Sequence, residues 1–132
     1  MIIKIPLDVY LPRKTMPDRK YIINLNNYRN WNFIVNNQIK QVYKENLRDK
    51  LEWIMLECPI WLTFTYFKWS NRRSDRANVL SIHEKFFCDA LTEYWCIPDD
   101  ADQYVKYTKY QWWEVDKSNP RVEVLIETIW SK

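Results

Sequence analysis

Residues 60–95, IWLTFTYFKWSNRRSDRANVLSIHEKFFCDALTEYW, decide the fold. The first ten are aromatic and β-branched, with Thr and Lys alternating between them, which predicts a strand. The polar run Ser70-Asn71-Arg72-Arg73-Ser74 ends that alternation, and Asp75 then stands where a helix N-cap belongs. From 76 to 95 the period changes. Val79, Ile82, Phe86, Phe87, Ala90, Leu91 and Tyr94 form one apolar stripe, and Ile97-Pro98 stops the helix.

Working outward, residues 2–10 (IIKIPLDVY) predict a first strand. Pro12 and Pro17 bracket a basic loop carrying Arg13, Lys14, Arg19 and Lys20, which cannot continue a sheet interior. From Tyr28 to Leu56 the spacing of Trp31, Ile34, Val35, Ile39, Tyr43, Leu47, Leu51 and Ile54 is helical, with a break, and Pro59 closes it. Residues 103–113 and 121–130 predict two strands joined by a turn at Asn119-Pro120. The order β-α-β-α-β-β gives an α/β (α+β) fold with a small mixed sheet packed by helices, a single domain over residues 1–132.

The 132 residues suit one core, and a hydrophobic share of 47% against 28% charged predicts a folded chain rather than a disordered one. No run approaches the roughly 20 apolar residues of a membrane span, so no membrane partner is expected. The N-terminus lacks a small-residue cleavage site and does not resemble a signal peptide. Cys58, Cys88 and Cys96 form no C-x-x-C pair, which argues against zinc and a disulfide framework and fits a reducing cytoplasm. There is no glycine, so turns needing positive φ must use Asn or Asp; Asn26-Asn27, Asn36-Asn37 and Lys117-Ser118-Asn119-Pro120 are the candidates.

The net charge of +3 divides unevenly: 13 Lys/Arg against 7 Asp/Glu in residues 1–75, and 7 against 10 in residues 76–132. A basic first half with acids gathered later suits a protein that holds a polyanion near an acidic site, though an uneven surface alone would look the same. The 8 Trp and 9 Tyr exceed what a small core needs. Dimer packing, notably for Trp112-Trp113 and Trp130, is the simpler use, and stacking on exposed bases a second.

The chemistry concentrates between Arg72 and Asp100. Asp75 opens the helix and Asp99-Asp100 follow it, so carboxylates stand at the ends of rigid elements. Such oxygen donors suit Mg²⁺ in phosphodiester hydrolysis, although acids at helix ends are also ordinary caps. Arg72 and Arg73 are placed to hold backbone phosphates. His83, the only histidine, is expected to be a structural side chain on the helix surface or partly buried.

Taken in order, Arg72-Arg73, Asp75, Asn78, Lys85, Asp89-Ala90-Leu91 and Asp99-Asp100 resemble the RusA-type Holliday junction resolvases of phages and prophages. In that family a basic run precedes an Asp-x-Asp-Asn motif, then Lys-x-x-x-Asp-Ala-Leu, then an Asp pair. The likeness is good over residues 70–102 and poor over 13–55. It implies a homodimeric Mg²⁺-dependent (or Mn²⁺-dependent) endonuclease cutting four-way junctions in DNA recombination and repair, in the bacterial host cytoplasm. It further implies that Asp75, Asp100 and Lys85 are catalytic and that Asp75, Asp99 and Asp100 bind metal. DNA binding would fall to Arg72, Arg73, Asn78, Arg13 and Lys14.

Two departures matter. Ala77 stands where the family has its second Asp, and Ser74 replaces a basic residue. Ser81 is a poor substitute ligand, and Glu84 lies about 10 Å further along the helix axis. Losing a carboxylate weakens a metal site, so a catalytically impaired branched-DNA-binding protein is the alternative. A module that keeps only the fold and binds another protein is the third reading.

Overall fold

The computed structural model describes residues 1–73, 75–112 and 115–129. Trp113, Trp130 and Ser74, singled out in the sequence, lie outside them.

Two strands replace the single one expected at the N-terminus: β1 (Ile2–Pro6) and, after a bend at Leu7, β2 (Asp8–Leu11). The expected basic loop is the far side of a hairpin, β3 (Arg19–Ile22), which pairs with β2 in a separate two-stranded sheet. Arg19 and Lys20 are therefore strand residues, outside the main sheet as the prolines required. Next come α1 (Leu25–Asn30) and α2 (Phe33–Leu51), with the break at Trp31-Asn32. Asn24 and Asn32 cap them, each side chain accepting the backbone N–H three residues on.

The second half follows the alternation closely. It comprises β4 (Ile60–Phe67), α3 (Arg76–Glu93), β5 (Val105–Trp112) and β6 (Arg121–Thr128). The final two strands are not a hairpin. The sheet order is β1-β6-β4-β5, with β6 inserted antiparallel between β1 and β4, and β5 parallel to β4 on its other side. A parallel pair needs a crossover, which α3 supplies. The outcome is a mixed four-stranded sheet with three helices, the α/β fold expected.

Register explains the core. Ile5, Val122 and Tyr66 lie in one row across β1, β6 and β4, and Ile3, Val124 and Phe64 in the next. All six are buried, and α3 packs over the β4–β5 part of this face, Phe87 meeting Phe64 edge-on, while Phe86 meets Tyr28 of α1 and Tyr43 of α2. Helix α2 buries Ile39, Tyr43, Leu47 and Leu51 at four-residue spacing, while Ile34 on its first turn is exposed. All three cysteines are free thiols. No helix among the described residues is long and apolar enough to cross a membrane.

Asn and Asp do not carry the left-handed backbone. Asn26-Asn27 and Asn36-Asn37 are helical, and positive φ falls on Trp53 (71°) and Trp95 (61°). The reason is helix termination. After α3 the Cys96 N–H donates to the Leu91 carbonyl at 2.9 Å and the Trp95 N–H to the Thr92 carbonyl at 3.1 Å. This double closure requires a left-handed residue at position 95, where glycine is usual. Trp95→Gly is accordingly expected to raise stability by about 1 kcal/mol, read from the urea midpoint at unchanged m-value.

Candidate nucleic-acid interface

The parallel strands β4 and β5 end together, and the chain leaving β4 turns into α3 at that same end. Between Tyr66 and Arg76 it carries Lys68, Arg72, Arg73 and Arg76 against a single carboxylate, Asp75. Trp112 at the end of β5 is 47% exposed, with the Lys68 ammonium 4.8 Å and the Arg76 guanidinium 5.3 Å from its ring centre. The Lys68 Nζ also donates to the Arg72 carbonyl at 2.8 Å, which ties the loop down. Arg72 and Arg73 are exposed and line a cleft of about 180 Å³ with Tyr66 and Trp69, without a carboxylate partner among the described residues. Outside the carboxyl ends of parallel strands, beside a helix N-terminus, is where open α/β sheets bind ligands, and anions above all.

Lys117 and Arg121 border this end from the β5–β6 loop and β6. Arg121 Nη1 donates to Asp116 at 2.7 Å and Nε to Glu123 at 2.6 Å, with the guanidinium 4.0 Å from the centre of the Phe67 ring. Hydrogen bonding from Arg121, then Ser118, holds the Asp116 carboxyl below the usual carboxylate range. Arg121 is thus internally neutralised and shapes the loop, leaving Lys117 and the two arginines for a ligand.

Asp75 caps α3, its Oδ1 accepting the Ala77 N–H at 2.9 Å. Ala77 is exposed beside it. Asn78 neither bonds local backbone nor faces the basic loop; its Oδ1 accepts the Asn26 N–H at 3.1 Å and fixes α1 against α3. Arg13 Nε donates to the Pro17 carbonyl at 2.8 Å and closes the hairpin tip, with Lys14 exposed next to it.

Asp99, Asp100 and Asp102 follow the other end of α3. Asp100 and Asp102 line a cleft of about 230 Å³ with Glu84, Lys85 and Cys88. Here the structure does bring Lys85 to Asp100. Asp99 accepts the Asp100 N–H at 2.7 Å and borders a neighbouring cleft with Lys40 and Lys44. Asp89 pairs with Lys40 at 3.4 Å. Burial first, then the carboxylates of Glu84, Asp100 and Asp89, push the Cys88 thiol up to about 12, so it is no nucleophile at neutral pH. Burial and the hydrogen bond it donates to Glu84 push the Tyr110 hydroxyl up as well.

Glu84 and Cys88 lie nine and thirteen residues beyond Asp75 on one helix, about 14 and 20 Å along its axis. Asp75 and Asp100 therefore do not meet. A magnesium ion takes its oxygens at about 2.1 Å, and among the described residues no group of three His, Cys, Asp or Glu is placed to hold a metal. The donor set that the resemblance implies does not fit one ion here, and Ala77 leaves Asp75 without a second carboxylate.

His83 is neither on the surface nor partly exposed. It is fully buried and sits 2.9 Å from the Tyr43 hydroxyl through Nδ1. The Tyr43 hydroxyl also donates to the His83 carbonyl at 3.4 Å. With the proton assigned to Nδ1 from this pattern, the hydroxyl accepts from the ring and donates to the carbonyl, and only the Nε2 lone pair lacks a partner among the described residues. Burial lowers its pKa to about 3.

No protein-family model matches the chain, and no curated protein sequence matches it.

Proposed function

We propose that this protein binds branched DNA through the basic, aromatic end of its sheet. The observation that carries this is the gathering of Arg72, Arg73, Arg76 and Lys68 around Trp69 and Trp112, where β4 and β5 end and α3 begins. Arginines without a carboxylate partner among the described residues take phosphates bidentately, and the helix N-terminus adds partial positive charge. The RusA-like order of residues supports a four-way junction as the target. Two copies about a two-fold axis would match the symmetry of such a junction. The three free thiols suit a reducing cytoplasm.

Mg²⁺-dependent cleavage is the second reading. It is favoured by the juxtaposition of Lys85 and Asp100 in one cleft, and weakened by the distance from there to Asp75.

The test is binding and cleavage of a synthetic four-way junction beside a linear duplex of equal length. The junction is expected to bind more tightly, and Arg72→Ala with Arg73→Ala should reduce the slope of log K against log salt by about 1 per arginine. Equal affinity for both DNAs, or an unchanged slope, would overturn the proposal. With Mg²⁺ the unmodified protein is expected to leave the junction intact. Symmetric nicks would establish the second reading, and nicks gained only with Ala77→Asp would identify the missing carboxylate as the cause.

A further inference from the structure

A second cleft adjoins the arginine cleft. Its volume is about 450 Å³, within the roughly 300–1,000 Å³ typical of small-molecule sites. Pro6, Ile22, Tyr66, Trp69 and Pro120 form its apolar walls, and Lys20, Lys117 and Asp8 its charged ones. Tyr66 and Trp69 line both clefts, so the two lie side by side. Trp69 is 55% exposed, unusually open for a tryptophan held between two clefts.

From this arrangement we infer that the larger cleft takes an unpaired nucleobase of the bound DNA, stacked on Trp69. The inference rests on the DNA-binding proposal and specifies which part of the DNA enters. Three observations select a base over a bare phosphate. The walls are aromatic and apolar, which suits a π-face. Asp8 stands among them, 3.5 Å from Lys20; its carboxylate suits an exocyclic amino group and repels a phosphate. The phosphates on either side of that base would meet cations that have no ion-pair partner among the described residues: Lys117 at one rim, and Arg72 and Arg73 across the shared aromatic wall. A fully paired duplex keeps its bases stacked and cannot fill the cleft. Single strands, forks and strand-exchange points expose bases that can.

The experiment compares a forked DNA carrying 2-aminopurine at each unpaired position in turn with a blunt duplex of the same length. Affinity is followed by anisotropy of an end label and stacking by 2-aminopurine emission. The fork is expected to bind about tenfold more tightly than the duplex, with emission quenched at one or two positions. Trp69→Ala should weaken fork binding about tenfold and abolish the quench, a loss several-fold larger than the one it causes on the duplex, while Trp69→Phe retains most of both effects. Equal losses on fork and duplex, or a quench that survives Trp69→Ala, would overturn the base cleft while leaving DNA binding in place. Failure to bind either DNA would overturn the underlying reading together with it. Unchanged circular dichroism of the exposed-site variants establishes that the fold is intact.

Discussion

Lowering the pH from 8 to 5 is expected to take about 2 kcal/mol from the stability of this protein. The cause is His83. In the unfolded chain its pKa lies near 6.5, whereas burial holds it at about 3 in the folded state. The unfolded state therefore binds more protons throughout that interval, and stability rises with pH wherever this holds. The contribution is complete above pH 6.5 and is lost as pH falls toward 3, at about 1.4 kcal/mol per unit. His83 is the sole histidine. Urea unfolding at half-unit intervals measures the slope. His83→Leu should flatten it over that range, whatever its effect on stability at pH 8. A slope that persists in the variant would place the titration elsewhere.

The second large effect belongs to Phe64 on the central strand β4. It is fully buried, and its ring meets Phe87 of α3 edge-on at 5.8 Å and Tyr110 of β5 at 6.2 Å. Phe64→Ala removes both contacts and leaves a cavity that the flanking strands cannot close, with an expected cost of about 3–5 kcal/mol. Phe64→Leu keeps most of the volume and should cost less than half of that. Tyr110 loses its neighbour in the first variant, and with it the support for its hydrogen bond to Glu84. Equal costs for the two substitutions would mean that the site collapses freely and that the aromatic contacts contribute little.

The parts of the fold legible in the sequence were those with a strong period. IWLTFTYF alternates because one face packs beneath α3 and the other does not, and the stripe from Val79 to Leu91 turns with a helix for the same reason. The strand Arg19–Ile22 carried no such signal, since three of its four residues are exposed and only backbone pairing with Asp8–Leu11 makes it a strand. Position 95 was hidden differently. The helix closes on a left-handed tryptophan, itself largely exposed, where local preference asks for glycine or asparagine. The Tyr43–His83 pair joins two helices across 40 residues, a contact that no local window reveals.

The candidate site divides similarly. The arginines and Trp69 are contiguous in the chain, so their gathering at a strand end was readable. The larger cleft was not, because its walls come from four separate segments. The separation of Asp75 from Asp100, in contrast, was open to simple arithmetic. The rise of 1.5 Å per residue that puts Glu84 out of reach of Ala77 also keeps Asp75 from an acid packed beside Glu84.

The placement of charge along α3 has one more consequence. Arg72, Arg73 and Arg76 surround its positive N-terminus, and Asp99, Asp100 and Asp102 follow its negative C-terminus. These side chains add to the helix dipole instead of cancelling it. On the proposed binding to DNA, the polyanion would attract the arginine end of α3 and repel the acidic loop before contact, so added salt should slow association far more than it speeds release.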